Sequence, residues 1–183
     1  MFRTAFVLCL CLSAVTGAYA ASPPPTAADQ KIIDSAMSAA PPALAKDATI
    51  MTFAADGSMR HLREGTNGYT CMPDIPTTPG PDPMCADANG MAWAMAMFAR
   101  KAPPEGKPGF IYMLMGGSDP SNLDPYAAKP MEGHDWVKTG PHVMVVGAPG
   151  MLAGYPGGAR PDTSKPYVMF PDTPYAHLML PVR

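Results

Sequence analysis

Cys71 and Cys85 bracket thirteen residues, five of them proline: Pro73, Pro76, Pro79, Pro81 and Pro83. Two cysteines in an oxidising compartment most simply pair. Closing a loop of this size stabilises a fold by roughly 3 kcal/mol in the chain-entropy model. The prolines already restrict the unfolded chain, so the gain here is smaller. The alternative, a metal-binding thiol pair, lacks CxxC spacing and a neighbouring histidine. The whole chain holds 24 prolines and 17 glycines among 183 residues. That composition approaches the disordered range. Patterned apolar segments argue instead for an ordered domain with proline-stiffened loops.

The oxidising compartment follows from the first twenty residues. Arg3 gives a positive start, Thr4 to Val15 is apolar, and Ala18-Tyr19-Ala20 supplies a small-x-small cleavage site. The expectation is a signal peptide over 1–20, cleaved after Ala20, and a periplasmic or secreted product. The apolar run is shorter than the roughly 20 residues of a membrane helix. Cys9 and Cys11 fall mid-run and each follows a leucine, which disfavours a lipoprotein. The remaining 163 residues suit one domain. They carry twelve Lys and Arg against fifteen Asp and Glu, with no run of either sign. A nucleic-acid footprint is absent, and no second segment reaches membrane length.

Residues 21–27 read as a flexible tether, and 28–183 as a single domain. Ile32, Ile33, Ala36, Met37 and Ala40 follow helical spacing over Ala28 to Ala40, until Pro41-Pro42. Thr49–Ala55 and Ser58–Glu64 flank Asp56-Gly57, a hairpin signal, and Asn67-Gly68 leads into Tyr69–Met72. Two-residue turns would set Met51 opposite Leu62, Phe53 opposite Arg60 and Glu64 opposite Cys71, giving a three-stranded meander. One face then carries Met51, Phe53, Leu62, Tyr69 and Cys71. Ala86 to Lys101 is the strongest helix candidate, with Met91, Met95 and Phe98 on one stripe and Pro103-Pro104 beyond it. Further strands are expected at 110–115, 142–147, 167–170 and 177–182, the last two as a hairpin. The fold class is α+β: a mostly antiparallel sheet, the meander plus four strands, one main covering helix and one disulfide.

Three of the four histidines share a pattern: Met59-x-His61, His142-x-Met144 and His177-x-Met179. Residues two apart on a strand point to one face, so each pair presents an imidazole beside a thioether. That combination suits copper, Cu(I) above all. The competing reading is structural. Methionine fills cores, and a histidine opening an apolar strand can cap a sheet edge. Calcium is a weaker possibility at Asp74, Asp82 and Asp87, or at Asp119, Asn122 and Asp124. These residues lack calcium-loop spacing and match ordinary turn chemistry. Ser118, after Gly116-Gly117, could act as a nucleophile with His142 or His177 and Asp119 or Asp124, but no GxSxG elbow surrounds it. His134-Asp135-Trp136 could line a pocket with Trp136 as a stacking wall. Ser118, Asp119 and Trp136 are therefore the ligand-binding candidates.

The runs Thr66–Asp74, Thr78–Cys85, Gly116–Tyr126, Gly140–Met144 and Thr173–Val182 together resemble a family of small exported bacterial proteins. The likeness would span about 47–182. It implies a bacterial origin and a single domain, and carries no activity. The residues point to a non-catalytic module binding a small ligand, a metal (copper) or another envelope protein. The alternative is a periplasmic hydrolase or metal-dependent enzyme using His142 and His177.

Overall fold

The computed structural model describes residues 25–182. The expected leader, with Cys9 and Cys11, lies outside these residues. Thr26 and Ala27, read as tether, instead begin a helix. Thr26 caps α1 (Ala27–Met37) in a capping box with Asp29. The single turn α2 (Pro42–Ala45) follows.

The chain then builds β1 (Thr49–Phe53), β2 (Met59–Arg63), β3 (Thr70–Met72), β4 (Met84–Ala86) and helix α3 (Ala88–Phe98). After α3 come β5 (Gly109–Met113), β6 (Gly117–Asp119), β7 (Val137–Thr139), β8 (His142–Val146), β9 (Tyr167–Met169) and β10 (His177–Pro181). Eight strands form one sheet in the order β2-β1-β3-β4-β5-β8-β10-β9, and β6 and β7 pair separately. The fold is α+β, with every neighbouring pair in the main sheet antiparallel except β1 and β3. The hairpin of β9 and β10 forms as expected. The sequence reading missed the three-residue strands β4, β6 and β7, which are too short to show a period.

The meander does not form. β3 lies on the far side of β1 from β2 and runs parallel to β1. The connection crosses the start of β1, where a Cβ on Gly65 would sit 2.1 Å from the Thr49 nitrogen. Only glycine permits that crossing. The first hairpin is also one residue off the expected register. Phe53 faces Met59 and Met51 faces His61, because residues 54–58 form a longer loop, and a bulge follows at Ile50/Met51. A one-residue slip exchanges faces. The parallel pairing of β3 with β1 sets Cys71 opposite Ile50, so Cys71 shares a face with Ile50, not Met51.

Each sheet face has its own core. On one, Ile33 and Ala36 of α1 pack with Ala39, Ala45, Ile50, Cys71 and Cys85. The expected Cys71–Cys85 disulfide lies here, joining directly opposed residues of β3 and β4. The other face lies under α3, where Trp93, Ala94 and Ile111 pack with Met72, Met84, Met144, Met169 and Met179. Asp87 caps α3 by accepting from the Gly90 amide. The buried stripe is Gly90, Trp93 and Ala94, with Met91 and Met97 alongside, whereas the expected Met95 and Phe98 lie off it. Glycine decides this: a Cβ on Gly109 of β5 would lie 2.2 Å from the Gly90 nitrogen, so helix and sheet touch backbone to backbone.

Candidate ligand-binding site

A cavity of about 140 Å³ lies between α3 and the sheet. Register explains what lines it. Cross-strand pairs on the α3 face are Met113 with His142, Met144 with Met179, and His177 with Met169. These pairs bring two imidazoles and four thioethers to the cavity, which Met84 of β4 and Met97 of α3 also border.

His142 and His177 are 1% and 2% exposed. His142 Nδ1 donates to the Gly140 carbonyl at 2.7 Å, and His177 Nδ1 donates to the Tyr175 carbonyl at 2.8 Å. A carbonyl only accepts, so Nδ1 carries the proton in each ring and Nε2 keeps its lone pair. Both Nε2 atoms are buried without a hydrogen-bond partner among the described residues. Burial disfavours the charged imidazole. It pulls His177 down to about 4, with His142 adding to the effect, and it lowers His142 as well. Both rings are therefore neutral at neutral pH. Trp93 and Phe170 pack edge-on around His177, at centroid distances of 5.0 and 5.6 Å.

Strand β6, paired with β7, forms a further wall. Gly117 and Thr139 pair, as do Asp119 and Val137. A Cβ on Gly117 would approach Met113 Cε at 3.2 Å and His142 Cε1 at 3.5 Å, so glycine keeps that side of His142 open. Asp119 also borders the cavity. Burial, then the Asp82 carboxylate, pushes it up to about 7. Asp82 borders the cavity too and is raised by burial and by Asp74. Among the described lining residues, these two carboxyls are the only acidic groups, and none is Lys or Arg.

The six metal candidates thus separate. His142, Met144, His177 and Met179 converge on the cavity. His61 and Met59 do not. They sit on the edge strand β2, five strands from β8, where the His61 ring is about half exposed and lies 3.3 Å from Glu64. Of the ligand candidates, Ser118 and Asp119 reach the cavity wall. Trp136 does not. It lines a surface groove with His134, Lys138 and Arg160. Ser118 makes no hydrogen bond to either imidazole, as both Nε2 atoms lack partners. Its Oγ lies 3.1 Å from where a Gly80 Cβ would be. The nucleophile–base pair of a serine hydrolase is therefore not assembled here.

The calcium candidates have structural work. Asp87 caps α3, Asp124 accepts from the Tyr126 amide, and Asp74 accepts from the Asp82 amide. Buried Asn122 donates to the Gly158 and Val168 carbonyls. No three His, Cys, Asp or Glu side chains gather as a metal set among the described residues. Trp93, Phe170, Met113 and Met169 were not read as site residues. Nothing local marks them, since strand order and the packing of α3 on the sheet bring them to the histidines. No family model, curated protein or solved structure matches this chain.

Proposed function

We propose that this protein is an exported, non-catalytic module that binds a small cation in the cavity under α3. One observation carries the reading: two buried imidazoles present unpartnered Nε2 lone pairs to the same cavity. Leaving a buried acceptor unmade costs about 1–3 kcal/mol each. A bound cation removes that cost. The wall chemistry agrees, because its ionisable groups other than the imidazoles are carboxyls and its remaining surface is mainly thioether, aromatic and aliphatic. The volume admits an ion or a very small organic cation. The disulfide and the expected leader support export. Among the described residues, no helix is long and apolar enough to cross a membrane.

Thermal unfolding against a panel of Ag(I), Zn(II), Ni(II) and methylammonium tests the reading. A ligand at one hundred times its dissociation constant stabilises by about 2.7 kcal/mol. In a domain of this size that raises Tm by about 5–10 °C. At least one cation should do so, and His142→Gln or His177→Gln should abolish the shift. A panel with no shift, or a shift unchanged in both variants, refutes the reading.

A further inference from the structure

We propose that the cavity under α3 takes a straight-chain amino alcohol, its ammonium held beside His142 and Asp119 and its hydroxyl donating to Nε2 of His177. This rests on the cation-binding reading above and names the ligand class of that site.

The sheet register sets the length of the ligand. Met144 faces Met179 across β8 and β10. His142 and His177 each stand two residues earlier, on strands that run in opposite directions. They therefore lie on opposite sides of that pair, about 14 Å apart along the strands. The two imidazoles mark the two ends of one cavity, and the thioethers of Met144 and Met179 line it between them. A ligand that satisfies both rings must be long. One hydrogen bond of about 2.9 Å at each end leaves about 8 Å between its terminal atoms. At about 1.2 Å per bond of an extended chain, that is about five or six carbons. The bulk agrees: the cavity holds about 140 Å³, and one of about 150 Å³ takes up benzene.

The two ends differ in chemistry. At the first, Gly117 of β6 lies against His142, and Asp119 follows two residues on. Asp82, on the same wall, already accepts from the Ile75 amide and the Thr78 hydroxyl. No hydrogen bond relieves Asp119. An ammonium supplies the missing donors and offsets the buried carboxylate. At the other end, Trp93 and Phe170 close around His177, and Met169 lies opposite it. A second charge here would be buried without a partner. A hydroxyl donates to Nε2 without that cost. Solvent is nearer the acidic end. Ile75 and Phe98 are the exposed residues among the described lining, at 41% and 38%, and the Ile75 amide is bonded to Asp82. The charged group thus rests closest to water and the chain lies deepest.

Titration calorimetry at pH 8, where Asp119 is ionised, tests this with four straight-chain amines: aminopentanol with its two groups at opposite ends, pentylammonium, aminopropanol and pentanediamine with terminal amines. Aminopentanol should bind at one site and at least about tenfold more tightly than each of the others, because each of them leaves His177 without its donor or buries an unpaired charge. Asp119→Asn should weaken its binding at least about tenfold. His177→Leu should bind it no more tightly than pentylammonium. Thermal melts check that both variants are folded. Equal binding of pentylammonium, aminopropanol or the diamine by the parent, or parent affinity in Asp119→Asn, overturns the proposal. If another cation still stabilises the protein through His142 and His177, only the ligand class falls. If no cation does, the cation reading falls with it.

Discussion

Asp119 and His177 pull stability in opposite directions across the same pH range. His177 is held neutral, titrating near 4, whereas an unfolded histidine takes its proton near 6.5. Between those values the unfolded chain binds more protons. The stability from this residue is present above 6.5 and is lost as pH falls towards 4, a change of about 3 kcal/mol. Asp119 is held protonated up to about 7 against 3.8 when unfolded. Here the folded chain binds more protons, so its contribution is complete below 3.8 and is lost as pH rises to 7, by about 4 kcal/mol. The two effects largely offset in the parent. Asp119→Asn removes one of them. The variant should be more stable than the parent by about 4 kcal/mol at pH 8, and should match it near pH 4. Urea unfolding at pH 4, 6 and 8 reads this directly. Parallel pH profiles for the two proteins would show that Asp119 is not held protonated.

At the scale of elements, Arg63 ties the edge of the sheet to the helical layer. Its guanidinium donates to the carbonyls of Ala45 at 2.6 Å and Ala48 at 2.8 Å, at the end of α2 and before β1. A cation is well placed at a helix C-terminus, and hydrogen bonds to charged groups contribute about 1.5–3 kcal/mol. Arg63→Met keeps the apolar stem and loses the donors. We expect a loss of about 2 kcal/mol by chemical denaturation, with the cation-dependent rise in Tm unchanged because β2 lies at the far edge from β8. A neutral effect would mean that water satisfies those carbonyls equally well. Element boundaries were largely readable from pattern: α1, α3, β1, β2, β5, β8, β9 and β10 fall within a few residues of their apolar runs. Pairing was not. Asn67-Gly68 is a sound turn signal, yet Asn67 turns the chain by donating to the Leu44 carbonyl and accepting from the Tyr69 amide. That sends β3 to the far side of β1.

For the whole molecule, the two sheet faces separate stability from binding. Cys71 and Cys85 are fully buried on the α1 face, whereas the imidazoles face α3. Replacing both cysteines by alanine should lower stability by about 2 kcal/mol, less than the loop length alone implies, because prolines already stiffen the unfolded loop. The cation-dependent rise in Tm should persist. Calorimetry with and without the cation on one preparation checks both, and a lost shift would show that the faces are coupled.

Local chemistry alone determined where the two longer helices lie, which apolar runs are strands, that two cysteines would pair, and that His142-x-Met144 and His177-x-Met179 each show one face. Those properties depend on side chains within a few positions of one another. Whether the two motifs meet, and whether His61 joins them, depended on strand order and register. Only packing of the whole sheet decides these, because a backbone crossing at Gly65 or one extra loop residue before Met59 reassigns faces without altering any local signal.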